Sequence, residues 1–405
     1  MSSGSSRAVL LAGVVAVAVL GTGCGAGPPP GAQPATPSSS TPAGRPSTGS
    51  VTSTTGQPTA GSVACTTRGV LATWSVRRLA EQTVVIPVDE GEVGSVAGEV
   101  AAGAGGVLLF GAHAPADLAS SLARLVREAP GGIPPFVMTD EEGGAVQRMA
   151  NLVGRVPSAR QLAATMTPRE IQRLALRLGR RMKAAGVTMD LAPVLDLDGR
   201  PGPSATNPDG TRSFSPIERT ASAAGLAFAA GLQAAGIVPV VKHFPGLGGA
   251  SGNTDLMPAA TLPWRSLQAG GLLPFAAAVR AGVPAVMVAN ATVPGLTNLP
   301  ASISPAVTTG VLRNRLGFSG LVLTDSLSAV ALSAAGYPVP RASVVALRAG
   351  ADMVVFNADA GRVASLTRQT VQAIVGAVGS GALPRSRLEN AVWHILNAKH
   401  VDLCP

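Results

Sequence analysis

The chain has 405 residues, 46% hydrophobic and 13% charged, with a formal net charge of +9 and three cysteines. The positive charge sits on scattered arginines, without a dense basic run, and there are only three Trp, one Tyr and eight Phe. This reads as general surface charge suited to an anionic envelope; nucleic-acid binding would want a basic stripe or a recognisable module, and neither is present.

Residues 1–23 read as an export signal. Arg7 supplies positive charge, Ala8 to Leu20 is apolar apart from Gly13, and Gly21-Thr22-Gly23 precedes Cys24. The apolar core is too short to span a bilayer as a stable helix, which needs roughly 20 residues. Small residues directly before a cysteine resemble a bacterial lipobox, which would make Cys24 an acylated mature N-terminus and attach the protein to a membrane. Leu20 lies one position further from Cys24 than that motif usually has, so plain secretion is the alternative. Residues 24–62 are Pro, Gly, Ser, Thr and Ala almost throughout, with Arg45 the only charge. Such a stretch cannot bury enough apolar surface to offset its ordering entropy, and it reads as a disordered tether. With Cys24 lipidated, Cys65 and Cys404 remain, bracketing the folded part almost end to end. In an exported protein this favours a disulfide between them.

The remainder, residues 63–405, carries a regular alternation. Short apolar runs occur at 83–88, 106–110, 135–139, 188–193, 237–242, 285–289, 321–324 and 353–356. None alternates cleanly, as expected of parallel strands buried on both faces. Helical stretches rich in Ala, Leu and Arg separate them, at 93–102, 116–128, 168–185, 217–235, 264–281, 305–316, 341–349 and 363–378. The pattern predicts an α/β fold, a (β/α)8 TIM-type barrel forming a single catalytic domain, with room for one irregular or missing strand. A doubly wound open sheet is the runner-up, weakened because no glycine fingerprint follows the first strand.

In such a barrel the chemistry sits at the C-terminal strand ends. The third strand runs into Asp140-Glu141-Glu142-Gly143-Gly144 and then Gln147-Arg148. The fourth leads to Asp196, Asp198 and a loop reaching Arg212. The fifth delivers Lys242 and His243; Pro245 then stops it, and a loop with Gly246, Gly248, Gly249 and Gly252 follows, which we expect to be mobile. The sixth ends in Asn290, the seventh in Asp325-Ser326, the eighth in Asn357 and Asp359. Carboxylates, amides and cations around one rim suit a polyhydroxylated ligand and carboxylate chemistry at an acetal carbon. The other three histidines, His113, His394 and His400, lie off this pattern, so we expect no catalytic metal, and no cofactor.

Thr139 to Arg148, Lys242-His243-Phe244-Pro245-Gly246, Leu316-Gly317-Phe318-Ser319-Gly320 and Thr324-Asp325-Ser326-Leu327-Ser328 resemble glycoside hydrolase family 3. The branch they are most similar to is that of single-domain β-N-acetylglucosaminidases acting on peptidoglycan fragments, among them mycobacterial envelope lipoproteins. The resemblance spans about residues 65 to 403. It implies a retaining, two-step mechanism with Asp325 as nucleophile. It also implies that Asp140, Arg148, Arg212, Lys242 and His243 hold the sugar, a carbohydrate as the partner, and a monomer. Three positions depart from the branch. Leu247 replaces the first loop histidine, Asn253-Thr254-Asp255 stands where Asp-Ser-His is usual, and Ala145 replaces an arginine. Asn253 is neutral and cannot act as the carboxylate that orients an imidazole, whereas Asp255 can donate a proton if its surroundings raise its pKa. Two functions stay open: a glycosidase with Asp255 as acid/base, and a catalytically weak or inactive sugar-binding envelope protein on the same barrel.

Overall fold

The structure, a computed structural model, describes residues 65–404. The expected signal, Cys24 and the whole of the expected tether lie outside the described residues. Ten strands occur in chain order: β1 (Val84–Asp89), β2 (Gly106–Phe110), β3 (Phe136–Thr139), β4 (Glu141–Gly143), β5 (Val146–Gln147), β6 (Met189–Asp190), β7 (Val238–Phe244), β8 (Ala285–Val288), β9 (Leu321–Thr324) and β10 (Val354–Val355). Eight form one parallel sheet in the order β10-β1-β2-β3-β6-β7-β8-β9. A bridge between Leu323 and Met353 joins its two ends. The sheet is therefore a closed TIM-type (β/α)8 barrel, and the open-sheet alternative is excluded. Within the barrel the shortest strands, β6 and β10, have two residues each.

The barrel closes because its strands are apolar on both faces. β2, β3, β8 and β9 are buried at nearly every position. One face packs inside the barrel, where Val85, Leu108, Met138, Met189, Val240, Met287, Leu323 and Val355 fill the interior. Gly106 makes room there: a Cβ at this position would lie 2.7 Å from Met138 Cε. The other face packs on the surrounding helices. The helix Pro168–Ala184 starts where its sequence says it should. Thr167 caps it, its hydroxyl accepting from Glu170 N while Glu170 Oε2 accepts from Thr167 N at 2.7 Å, and Pro168 occupies the first turn.

The predicted helix 264–281 is two helices, Trp264–Ala269 and Leu273–Arg280, broken at Gly270 and Gly271. The predicted helix 305–316 is wound as a π-helix, Ala306–Arg315. The last helix, Arg385–Ala398, was not anticipated. It seals the N-terminal end of the barrel: Ile395 joins the interior cluster, and the Lys399 ammonium lies 5.3 Å from the Phe136 ring centre. Nearby, Cys65 and Cys404 are disulfide-bonded, with Cα atoms 5.8 Å apart. No helix among the described residues is long and apolar enough to cross a membrane.

Candidate active site

The C-terminal strand ends surround a cavity of about 450 Å³. Asp140, Arg148, Arg212, Lys242, His243, Asp255 and Asp325 all line it, with Glu142, Asn253, Ser326 and Asn357. Every sugar-binding and catalytic candidate from the sequence is therefore brought to one place. Asp196 stands behind His243 and does not reach the cavity surface. Asp198 turns onto Arg200, whose backbone N–H donates to it at 2.6 Å. Asn290 is a brace: its amide donates to Ser326 O and its oxygen accepts from Ser302. Ala145 is exposed at the tip of the β4–β5 hairpin.

The floor is a buried charge network. β3 and the hairpin present Asp140 and Glu142. The hairpin can turn here because Gly143 and Gly144 take φ of 88° and 61°. β7 presents Lys242 and His243 in succession, joined by a cis peptide bond. Lys242 Nζ donates to Asp140 Oδ1 at 2.6 Å and lies 2.7 Å from Glu142 Oε1. Arg212 forks onto Glu142 with Nε and Nη2, both at 2.7 Å, and donates Nη1 to Pro208 O. Burial pushes the Glu142 carboxyl up, but the Arg212 guanidinium and Lys242 ammonium outweigh it and hold the pKa well below the usual carboxylate range. Burial likewise lowers Lys242, and Asp140 and Glu142 overcome that to keep it charged. The result is a fixed, desolvated set of donors and acceptors.

His243 is oriented from behind. Its Nδ1 lies 2.7 Å from Asp196 Oδ2, which also accepts from His243 N, while Asp196 Oδ1 accepts from Leu247 N. Burial, and then the nearby Arg212, lower the His243 pKa to about 4, so the contact is a hydrogen bond from a neutral ring. The other ring edge faces the cavity. Burial raises Asp196 to about 7 against the backbone N–H groups that donate to it.

Two carboxylates complete the cavity. Asp325 follows β9; its N–H donates to Val288 O, and its Oδ1 accepts from Ser326 N at 2.7 Å. Burial raises its pKa, the interaction with His243 opposes this, and Asp255 raises it further. Asp255 stands exposed at the mouth. Partial withdrawal from water raises its pKa, Arg212 lowers it and Asp140 raises it. Asn253 shapes this segment, its Oδ1 accepting from Asp255 N at 3.0 Å. The Asp255 and Thr254 carbonyls accept from Val330 and Ala331.

The glycine-rich loop is packed, which corrects the expectation that it hangs free. Leu247 is 2% exposed and packs with Ala250, Ala289 and Ala291. A Cβ on Gly248 would lie 2.1 Å from the Leu197 carbonyl oxygen. These glycines serve close approach rather than freedom of movement.

Three residues with structural weight were given no role by sequence reasoning: Glu142 at the centre of the network, Asp196 behind His243, and Asp209. Glu142 and Asp196 sat in strand-end runs and could have been weighed there. Asp209 carried no signal; only folding brings it within 4.8 Å of Asp196 and His243 as a buried trio of possible metal ligands. Glu141, another carboxylate of the third strand end, faces away from the cavity and accepts from Arg148 N at 2.7 Å and from Met149 N.

Residues 96–398 match the glycosyl hydrolase family 3 N terminal domain. The chain is 36% identical over 280 residues to beta-hexosaminidase LpqI of Mycobacterium tuberculosis, covering 66% of this chain and 69% of that protein. It is 33% identical over 257 residues to a beta-hexosaminidase of Methylococcus capsulatus, covering 62% and 75%. Among solved structures, a family member from Mycobacterium smegmatis superposes with a TM-score of 0.72 at 34% identity, over 81% of this chain and 98% of that one. A β-N-acetylglucosaminidase from Paenibacillus sp. superposes with a TM-score of 0.75 at 29% identity, over 81% and 62%. A TIM-type barrel whose mouth gathers two facing carboxylates over a buried Asp-Lys-Glu-Arg floor, matched by this family over three quarters of its length, makes the chain a member of glycoside hydrolase family 3.

Proposed function

We propose that the protein is an exported, retaining β-N-acetylglucosaminidase acting on peptidoglycan or related cell-wall fragments, lipid-anchored through Cys24. The observation that carries this is the shared cavity of Asp325, Asp255, Lys242 and His243. Asp325 attacks the anomeric carbon and forms a glycosyl-enzyme, while Asp255 protonates the departing oxygen and then, ionised, draws a proton from the incoming water. Asp140, Arg148, Arg212, Lys242 and His243 hold the sugar. The network around Glu142 is assembled before substrate arrives, so little reorganisation accompanies the developing charge. The beta-hexosaminidase names of the relatives support the substrate class, and a similar secreted glycosyl hydrolase of Arthroderma benhamiae supports export.

A second reading, sugar binding without turnover, draws on the loop. Leu247 is buried where the branch places an imidazole, and the Asn253 side chain is spent on Asp255 N, so no oriented His-Asp pair exists in this loop. Turnover of an aryl β-N-acetylglucosaminide separates the readings. Under the first, wild type turns over, Asp325→Ala does not, and a fluorinated N-acetylglucosaminide leaves a mass adduct on Asp325. Saturable binding with no turnover and no adduct rejects the enzyme.

A further inference from the structure

Behind the floor of the cavity lies a group that the mechanism does not use. Asp209 is fully buried, and neither of its carboxyl oxygens has a hydrogen-bond partner. Its position is firmly set. The next residue, Gly210, packs so tightly that a Cβ there would lie 2.1 Å from the Gly202 carbonyl carbon. The nearby cations are committed elsewhere: Arg212 forks onto Glu142, and Lys242 holds Asp140 and Glu142. Asp209 therefore shares its space with Asp196 and the neutral His243, and one ligand atom from each of the three lies within 4.8 Å of the others. Two buried carboxyls with no cation of their own are costly when ionised. Protons can relieve that cost, and so can a doubly charged ion.

The geometry points to a zinc-type divalent-cation site made by Asp209, Asp196 and His243 Nδ1, behind the cavity-facing edge of the imidazole. One imidazole nitrogen and two carboxylate oxygens are ligands that zinc accepts, and bonds of about 2.0–2.2 Å fit a trio of this size after side-chain shifts of under about 1 Å. The ion would have a consequence for the cavity. With Nδ1 donating to Asp196, the free Nε2 is an acceptor. With Nδ1 bound to metal, the ring proton must sit on Nε2, and the cavity-facing edge of His243 becomes a donor. Occupancy would thus invert one hydrogen bond offered to whatever the cavity holds. Neither the site nor its test depends on the glycosidase mechanism.

The test is equilibrium dialysis of the purified full chain against zinc, with bound metal counted by mass spectrometry. One equivalent should remain on the wild type, and retention should fall on acidification as the ligands protonate. Asp209→Asn should lose that equivalent, with its fold confirmed by circular dichroism. A His113→Gln/His400→Gln variant should keep it, removing exposed histidines as the source. Should Asp209→Asn fail to fold, anomalous scattering at the zinc edge from wild-type crystals replaces it, with a peak expected between Asp209 and His243. No retained zinc on the wild type, equal retention by Asp209→Asn, or an anomalous peak elsewhere overturns the site and leaves the trio balanced by protons alone.

Discussion

At the scale of single residues, Asp255 and Glu141 differ in what their carboxyl groups face. Both are carboxylates near the rim, but Asp255 faces the cavity and Glu141 faces backbone N–H groups. Asp255→Ala should therefore slow substrates with poor leaving groups by roughly 10²- to 10⁴-fold while affecting activated aryl glycosides much less, and azide should partly restore the second step. Equal rates for wild type and variant on both substrate classes would remove Asp255 from the mechanism. Glu141 should instead appear in stability. Burial raises its folded pKa to about 7, against backbone N–H groups that lower it, so the folded state holds a proton that the unfolded chain releases near pH 4. Stability contributed at this residue is thus present at low pH and lost as pH rises towards 7. Glu141→Gln should flatten that decline, gaining on the order of 1–3 kcal/mol near pH 8 in denaturant titrations. An unchanged pH profile would show that Glu141 is ionised in the fold. Polar residues at strand ends were legible from sequence because barrels place chemistry there. Which way each one points was not, since that depends on neighbours such as Asp196 and Met149 that meet only in three dimensions.

At the scale of elements, apolar runs and their separating helices were readable because burial on both faces leaves no alternation and because Thr167-Pro168 with Glu170 marks a helix start. Positions governed by packing distance were harder. The loop after β7 reads as flexible from its glycines, yet Gly248 lies where its missing side chain lets the loop touch Leu197. Gly248→Ala should cost about 1–3 kcal/mol of stability, the range for forced core contacts, and should displace Asp255 from the mouth. Full stability and activity in this variant would mean the loop yields at that contact. The hairpin β4–β5 went unread for a related reason: its strands are two and three residues long, too short for any period to show.

At the scale of the whole molecule, a barrel was legible because eight apolar runs alternate with helices, while the closing helix Arg385–Ala398 was not, having no strand partner in the repeat. That helix brings the C-terminus beside the N-terminal helices, where Thr67 Oγ1 donates to Asp402 Oδ1 at 2.7 Å and the disulfide follows. Closing a sequence separation of 339 residues constrains the unfolded chain by about 6 kcal/mol in the entropic account. Cys65→Ser/Cys404→Ser should lower the unfolding midpoint without altering the cavity; an unchanged midpoint would mean the unfolded ends stay together without the bond. The bond also has a mechanical meaning. Residues 394, 397, 398 and 400 border the strand beginnings at 236–238, 283–284 and 320–321, the face opposite the mouth. The described part of the protein is therefore a covalent ring, and any pull on the chain before Cys65 is passed across sulfur to Cys404. Tension along the leader would load one bond at the sealed end and leave the strands that shape the cavity unstretched. A protease cut in any surface loop would open the ring without releasing a fragment.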